Sequence, residues 1–399
     1  LQALYARIPL GMRLGLAPMR AACVRLGSPE CSFEAVHVAG TNGKGSVCAM
    51  VEAALRAEGQ RTGLYTSPHL CRFAERIRVN GKPLNDVALA RVLRRALDDG
   101  PELSFFETAT LAAFLTFREA KVDTAVIEVG IGGRLDATNV LAAPRAAAVT
   151  RVALDHTDRL GGTLEAIARE KAAIAKPGTT LVLGAMSQGA RTAACEVAQQ
   201  AGAVVVDAES DLEANAFAGS VTPKLAGDHQ RGNARVAYLL AKLAGARDTS
   251  IRYGVSTAVW HGRLEWVATE RGPVLLDGAH NPDGAEALAA YLSTLWGSGC
   301  HVLVFGALAD KAWGAMLDTL APIVSHRIYV APSGRAPMEP EVLATRWPGE
   351  TAASVSEALE RARGRAGRGG LVVVCGSLYL VGEARAELLG VPRDPHVAL

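Results

Sequence analysis

The sequence predicts an α/β protein in two parts, each built on a mostly parallel sheet. Three observations carry this expectation. Short valine-rich runs alternate with helical patterns along nearly the whole chain. The alternation halts near Trp260-His261-Gly262-Arg263-Leu264-Glu265 and then starts afresh. The length, 399 residues, exceeds one typical domain and suits two. On this reading residues 1–261 form the first domain, 262–270 a linker and 271–399 a second, smaller domain.

Composition narrows the class. The chain is 49% hydrophobic with a net charge of +2 and no block of like charges, which suits a globular protein without a nucleic-acid face. Seven scattered cysteines form no C-x-x-C pair, so a reducing cytoplasm is expected rather than a disulfide framework. No apolar run reaches membrane-spanning length and no signal-peptide pattern opens the chain, so no membrane partner is expected. The stretch Arg361 to Gly370 alternates Arg, Gly and Ala, but it lacks aromatics and runs into the strand-like Leu371-Val372-Val373-Val374. A solvated helix end and turn is the better reading than an RNA-binding segment.

From Leu1 to Ser32 the pattern is helical and loop-like, with an irregular interruption over Gly11–Met19. Then comes the stretch that organises the first domain. Val36-His37-Val38-Ala39 reads as a strand, Gly40-Thr41-Asn42-Gly43-Lys44-Gly45 as a glycine loop, and Ser46 opens a helix running to about Glu58. Loop N–H groups and a helix N-terminus make a phosphate cradle, Lys44 can reach outer phosphates, and Ser46 can ligate magnesium. The usual pattern has glycine where Val38 stands and a hydroxyl where Gly45 stands. Glycines, lysine and hydroxyl between a strand and a helix still make nucleotide binding the better reading than a plain Asn-Gly turn.

Thr62–Tyr65 reads as a second parallel strand ending in Thr66-Ser67-Pro68-His69, whose hydroxyls either face the cradle or form a Ser-Pro turn. Asn85–Ala96 and Thr108–Glu119 read as helices, and between them Phe105, Phe106 and Glu107 are helix-start packing or a flat ligand surface. Thr124–Val129 is a buried strand carrying Glu128. A lone buried carboxylate needs a cation, either a ligand's or that of Arg134. Strand Ala146–Thr150 leads to Asp155-His156, where His156 is a turn residue or a ligand. The following helix carries Lys171, which local sequence alone places on a solvated face. The segment from Val206 to about Pro223 reads as irregular, and His229 opens a helix with Asn233 near its start. In the second part, strands are expected at Val274–Leu276, His301–Phe305, Arg327–Val330 and Leu371–Val374. Helices are expected near Ala285–Leu295, Met316–Leu320 and Val355–Arg363. Polar residues collect at strand ends again, in Asp277-Gly278-Ala279-His280 and Gly306–Lys311, so a ligand between the two parts is expected.

Taken together these segments resemble the folylpolyglutamate synthase/dihydrofolate synthase family of the Mur ligase superfamily. The resemblance rests on HVAGTNGKGS, GLYTSPHL with ERIRVNG, EVGIGGRLDATNV, ALDHTDRLGGTLEAIAREKAAI, HQRGNA, GRLE, LLDGAHNPDG, GALADK and CGSLYL, in that order across nearly the full chain. It implies a P-loop ATPase domain, a Rossmann-like C-terminal domain, and an ATP-dependent ligase that adds L-glutamate to folates and also to dihydropteroate through an acyl phosphate. It implies that Gly40–Ser46, Asn233, Arg263 and Asp277 bind ATP, with Lys44 also catalytic. It implies that Ser46, Ser67 (or Thr66) and Glu128 hold one magnesium ion, and that Glu128 and His156 share a second. Lys171 matches a lysine carbamylated in the family, and a monovalent cation is a further expectation. Asp136 falls at the pterin side of the substrate site, while His280 and Tyr379 fall near the incoming glutamate. Phe106, Glu107, Leu135, Ala137 and Ser377 complete the expected substrate contacts, and a monomer is expected. Ala173 stands where the family usually has glycine, and Ala17-Pro18 where acidic and basic residues are common.

Two other classes fit less well. A GTPase-like switch should carry an N-K-x-D motif, and no Asn-Lys pair occurs. A cell-wall Mur ligase places a separate domain before the phosphate loop, which here begins at Gly40.

Overall fold

The computed structural model describes residues 1–8, 15–295, 300–334, 336–367 and 369–394. Residues 11–14 of the N-terminal interruption and Arg368 of the Arg-Gly stretch lie outside the described residues. Ala17–Met19, read as irregular, instead open the helix Ala17–Arg25, with Pro18 in its first turn where a missing N–H does no harm.

Among the described residues the strands form two sheets. The first contains β1 (Glu34–Ala39), β2 (Thr62–Tyr65), β3 (Ile77–Val79), β4 (Lys82–Pro83), β5 (Thr124–Glu128), β6 (Ala146–Val149), β7 (Thr180–Leu183) and β8 (Val204–Asp207). Its order is β4-β3-β2-β5-β1-β6-β7-β8, all parallel except the β3 and β4 edge. The second contains β9 (Glu265–Thr269), β10 (Gly272–Leu276), β11 (His301–Phe305), β12 (His326–Val330), β13 (Glu350–Ala352) and β14 (Leu371–Cys375), in the order β13-β12-β11-β14-β10-β9. Only β9 runs antiparallel. Residues 265–269, within the stretch read as linker, are thus an edge strand of the second sheet.

Parallel strands buried on both faces need apolar residues throughout, and the valine- and alanine-rich β1, β5, β6 and β14 meet that demand. In the first sheet, Val36 and Val38 pack with the helix Lys44–Ala57 and the helices His229–Leu243 and Asp248–Thr257. Ala35 and Ile127 face the other way, toward the helix Phe105–Glu119. The second sheet is covered by Pro282–Thr294 and Trp313–Leu320 on one side and by Val355–Ala366 and Leu378–Leu389 on the other.

The segment after Val206 is not irregular throughout. It holds the helix Leu212–Ser220, capped by Asp211 and anchored by Phe217, which stacks on Tyr238 at 4.5 Å. The helix Phe105–Glu119 starts three residues before the expected Thr108, because Ser104 and Glu107 close a capping box around its first turn. No described helix is long and apolar enough to cross a membrane.

Candidate active site

The carboxyl ends of β1, β5, β6 and β10 open onto one cavity of about 760 Å³ between the sheets, within the usual size for a small-molecule site. Gly40–Ser46, Ser67, Glu128, His156, Lys171, Asn233, Arg263, Asp277, His280, Ser377 and Tyr379 all line it. Thr66, Phe106, Glu107, Leu135, Asp136 and Ala137 do not.

The phosphate loop follows from its sequence. Gly43 occupies the left-handed region (φ 89°) at the N-cap of Lys44–Ala57, and no side chain caps that helix. Its first N–H groups are therefore open to an anion. A side chain at Gly43 would also meet Asn233 Oδ1 at 2.4 Å, so the loop and the helix His229–Leu243 touch directly there. Gln230, which the sequence did not single out, bridges them: its amide reaches Ser46 Oγ at 3.4 Å and accepts from Asn233 Nδ2 at 2.9 Å.

Two lysines converge on one carbonyl. Lys44 Nζ donates to Gly40 O at 3.1 Å, and Lys171 Nζ donates to the same oxygen at 3.0 Å. Lys171 is 4% exposed, so the solvated face expected from local sequence is wrong. The helix Leu164–Ala172 turns this residue inward, while Arg169 pairs outside with Glu196 and Glu170 with Arg134. Burial, reinforced by the charge of Lys44, pulls the Lys171 pKa down to about 7.

Glu128 is buried at the end of β5. Arg134 is committed to Glu170 at 2.8 Å, which removes the salt-bridge alternative for Glu128. The Glu128 carboxylate instead accepts from Ser67 N at 3.1 Å and lies 4.0 Å from Lys44 Nζ. Burial pushes its pKa up against the Lys44 charge, so the site favours a further cation. Among the described residues no three His, Cys, Asp or Glu side chains cluster as a metal centre. The oxygen donors Ser46, Ser67 and Glu128 suit magnesium, which keeps waters and takes phosphate oxygens in place of a full protein cage. Thr66 is not among the lining residues, and its N–H is bonded to Arg76 O at 3.0 Å.

Across the cavity, Asp155 joins the two halves. Lys311 Nζ donates to it at 2.6 Å, His280 Nε2 lies 3.6 Å away and Asn281 Nδ2 3.3 Å. Burial pushes the Asp155 carboxyl up, but the neighbouring His280 imidazole and the Lys311 charge hold it well below the usual carboxylate range. His156 has left-handed backbone (φ 50°) before a one-turn helix, 3.5 Å from Lys311. Burial pulls its pKa down to about 4, leaving the ring neutral and able to ligate. His280 Nδ1 donates to Gly278 O at 2.8 Å, which turns Nε2 toward the cavity. Asp277 accepts from Leu264 N and Ala279 N, both at 2.9 Å, and so orders the backbone beside Arg263. Ser377 caps the helix Leu378–Leu389 through Tyr379 N at 3.1 Å.

Five of the expected substrate residues, among them Asp136 on the pterin side, are absent from the cavity lining. Glu107 is spent on Ser104, accepting from its N–H at 2.8 Å and its hydroxyl at 2.7 Å. Phe106 packs near Tyr65, ring centroids 6.1 Å apart, and against Gly130. Leu135 is half-buried, Asp136 and Ala137 buried, all in the loop after β5.

The profile of the Mur ligase middle domain matches residues 38–241, and that of the Mur ligase glutamate ligase domain matches 262–378. The chain is 34% identical to the dihydrofolate synthase/folylpolyglutamate synthase of Bacillus subtilis, over 96% of this chain and 97% of that one. It is 38% identical to a Haloferax volcanii protein named as a probable bifunctional folylpolyglutamate synthase/dihydropteroate synthase, over 93% of this chain but only 48%, about half, of that relative's length. Among solved structures, Escherichia coli FolC in complex with DHPP and ADP superposes with a TM-score of 0.86 at 31% identity, covering 94% of each chain. A bifunctional folylpolyglutamate synthase/dihydrofolate synthase with Mn, AMPPNP and L-glutamate bound gives 0.86 at 31%, covering 95% of each. The chain belongs to the folylpolyglutamate synthase/dihydrofolate synthase family of Mur ligases, ATP-dependent enzymes that form amide bonds.

Proposed function

We propose that this chain joins L-glutamate to the carboxylate of a folate and of dihydropteroate, acting as a cytoplasmic monomer. The observation that carries this is the single cavity in which an uncapped phosphate loop from one sheet faces the strand-end cluster of the other. On this reading residues 1–261 bind nucleotide, the connection starts at 262, and the second part, which takes residues 265–269 into its sheet, supplies the glutamate side. Solved relatives in complex with DHPP and ADP, and with Mn, AMPPNP and L-glutamate bound, support these classes of ligand.

ATP transfers its γ-phosphoryl group to the acceptor carboxylate, releasing ADP and forming an acyl phosphate. The glutamate amine then attacks that carbonyl, loses a proton and expels phosphate, leaving an amide. Gly40–Ser46 cradle the phosphates through backbone N–H groups, and Lys44 balances the charge that moves toward the leaving oxygen. Asn233, Arg263 and Asp277 hold the rest of the nucleotide. Ser46, Ser67 and Glu128, and Glu128 with His156, would hold magnesium, which would supply further neutralisation of phosphate charge. His280 and Tyr379 receive the glutamate, Asp136 belongs to the pterin side, and Phe106, Glu107, Leu135, Ala137 and Ser377 complete the surroundings of the substrates. The two halves exclude water from the acyl phosphate when they meet. Lys171 is the proposed carbamate: its amine, with a pKa near 7, is available as the neutral nucleophile that carbon dioxide requires. A monovalent cation belongs to the proposal on family likeness alone.

The test is phosphate release with ATP, magnesium, L-glutamate and either dihydropteroate or a tetrahydrofolate. Turnover should require glutamate and an acceptor together. Brisk ATP hydrolysis indifferent to both would overturn the ligase reading.

A further inference from the structure

The Asp136 carboxylate lies behind the cavity wall, with every acceptor position filled by the chain itself. Oδ2 accepts from Gly130 N at 3.0 Å and Ile131 N at 3.1 Å. Oδ1 accepts from Thr138 N at 3.0 Å and from the Thr138 hydroxyl at 2.6 Å. That hydroxyl has one proton, and Asp136 takes it. In its 2.8 Å contact with His37 Nε2, Thr138 Oγ1 must therefore accept, so the imidazole donates. Nε2 carries the ring proton, and Nδ1 is left as a bare acceptor, buried with no partner among the described residues.

His37 sits in the middle of β1, wholly buried, on the face opposite Val36 and Val38. A branched aliphatic residue would suit a central parallel strand without stranding a polar atom. Burial, with the charge of Lys176 adding, pulls the His37 pKa down to about 3, so the ring is neutral and the donor arrangement does not change near neutral pH.

We propose that His37 and Thr138 are positioning residues for the acceptor side of the site: a one-way relay from His37 through Thr138 to Asp136 sets the Gly130–Ile131 backbone as the wall beside Glu128. This deepens the glutamate-ligase reading and rests on it for the identity of the acceptor. The wall has no slack. A methyl group at Gly130 would lie 2.6 Å from Phe106 Cζ and 3.0 Å from Asp136 Oδ2, so the backbone is wedged between the ring and the carboxylate. Gly130, Ile131 and Gly132 line the cavity, and Glu128 lies two residues upstream. Loosening Asp136 lets the wall shift where the acceptor passes. The nucleotide loop, held separately by Thr41 N on Arg151 O at 2.7 Å and by Thr150 Oγ1 on Asn42 O at 2.7 Å, keeps its place.

The test compares Thr138→Val, which keeps the shape and removes the hydroxyl, with Thr138→Ser, which restores it. Thr138→Val should raise the acceptor KM by about tenfold or more, the size expected for a lost hydrogen bond to a buried charge, with the ATP KM within about twofold. Amide hydrogen exchange at Gly130 and Ile131 should accelerate by a similar factor. Thr138→Ser should recover both. His37→Leu should behave like Thr138→Val and add nothing to it in the double variant. If His37→Leu does not fold, His37→Gln, which keeps a side-chain N–H, should stay near wild type. Unchanged exchange in Thr138→Val, or equal rises in the ATP and acceptor KM, would overturn the relay. A wild type that passes glutamate to neither acceptor would overturn the ligase reading instead, and the exchange comparison would still decide the relay.

Discussion

The two sheets meet at two seams of opposite character. At the cavity mouth the contacts are polar side chains. Asn42 Nδ2 donates to Asn281 Oδ1 at 3.0 Å and to Asp283 Oδ2 at 2.7 Å, Arg151 pairs with Asp283 at 2.6 Å, and Lys311 with Asp155 at 2.6 Å. At the other seam the first half inserts apolar residues. Leu70 and Cys71 belong to the apolar core under β10, β11 and β14, and a Cβ on Gly262 would touch Leu70 and Val381, each at 3.2 Å. Asp394 ties this seam through Phe73 N at 2.8 Å and Cys71 O at 2.9 Å. Polar pairs can exchange partners with water or ligand at little net cost, whereas a packed apolar contact cannot. The mouth is built to open and the packed seam to hold. Substitutions should therefore divide: at the mouth they change turnover and spare stability, and at the packed seam they do the reverse.

The largest effects belong to the charges inside the mouth. Lys171→Ala and Glu128→Gln should each lower turnover by about a hundredfold or more, since each removes a group proposed to handle phosphate charge. Melting temperature should change little. A short carboxylic acid added to Lys171→Ala should restore part of the activity by filling the space of the proposed carbamate, and withdrawing carbon dioxide should slow the wild type. A fully active Lys171→Ala would remove Lys171 from the chemistry. Near-normal turnover of Glu128→Gln at limiting magnesium would remove Glu128 from the metal site.

Leu70→Ala is the opposite case. Leu70 is buried in the second sheet's core although it belongs to the loop after β2. Its truncation should destabilise the chain by about 2–3 kcal/mol, read by denaturant unfolding, with kcat/KM within about threefold below the transition. A large kinetic loss with unchanged stability would mean that this seam also moves during turnover.

What could be read from the sequence divides along a related line. The phosphate loop was legible because strand, glycines and helix start are contiguous, so local chemistry alone defines the cradle. The strands β1, β5, β11 and β14 were legible for the same reason, as compact apolar runs. Contacts made across the fold were not. Lys311 and Asp155 are 156 positions apart, and neither carries a local sign of the other. Lys171 reads as solvated because its helix neighbours are charged, and only the packing of that helix on Gly40 turns it inward. Gln230 is one polar residue among several in its helix until Ser46 and Asn233 are placed beside it. The helix Leu212–Ser220 escaped because its residues follow no clear apolar period, and its anchor, Phe217, finds Tyr238 only in three dimensions. Glu107 carried its own explanation in the Ser-x-x-Glu spacing, where capping prevails over a ligand contact.

The smallest effect tests the mouth most directly. Arg151 and Asp283 form a short pair, but the Arg151 side chain is 48% exposed, so the pair is screened by water and salt. Asp283→Asn removes the charge and retains an oxygen that can still accept from Asn42. Stability should fall by no more than about 0.5 kcal/mol. Substrate KM should shift by about two- to threefold at low ionic strength. At about 1 M salt, where the screening length shrinks to roughly 3 Å, wild type and variant should converge. A loss above about 2 kcal/mol, or a kinetic difference that persists in high salt, would mean that the mouth is held by packing after all and that the two seams are alike.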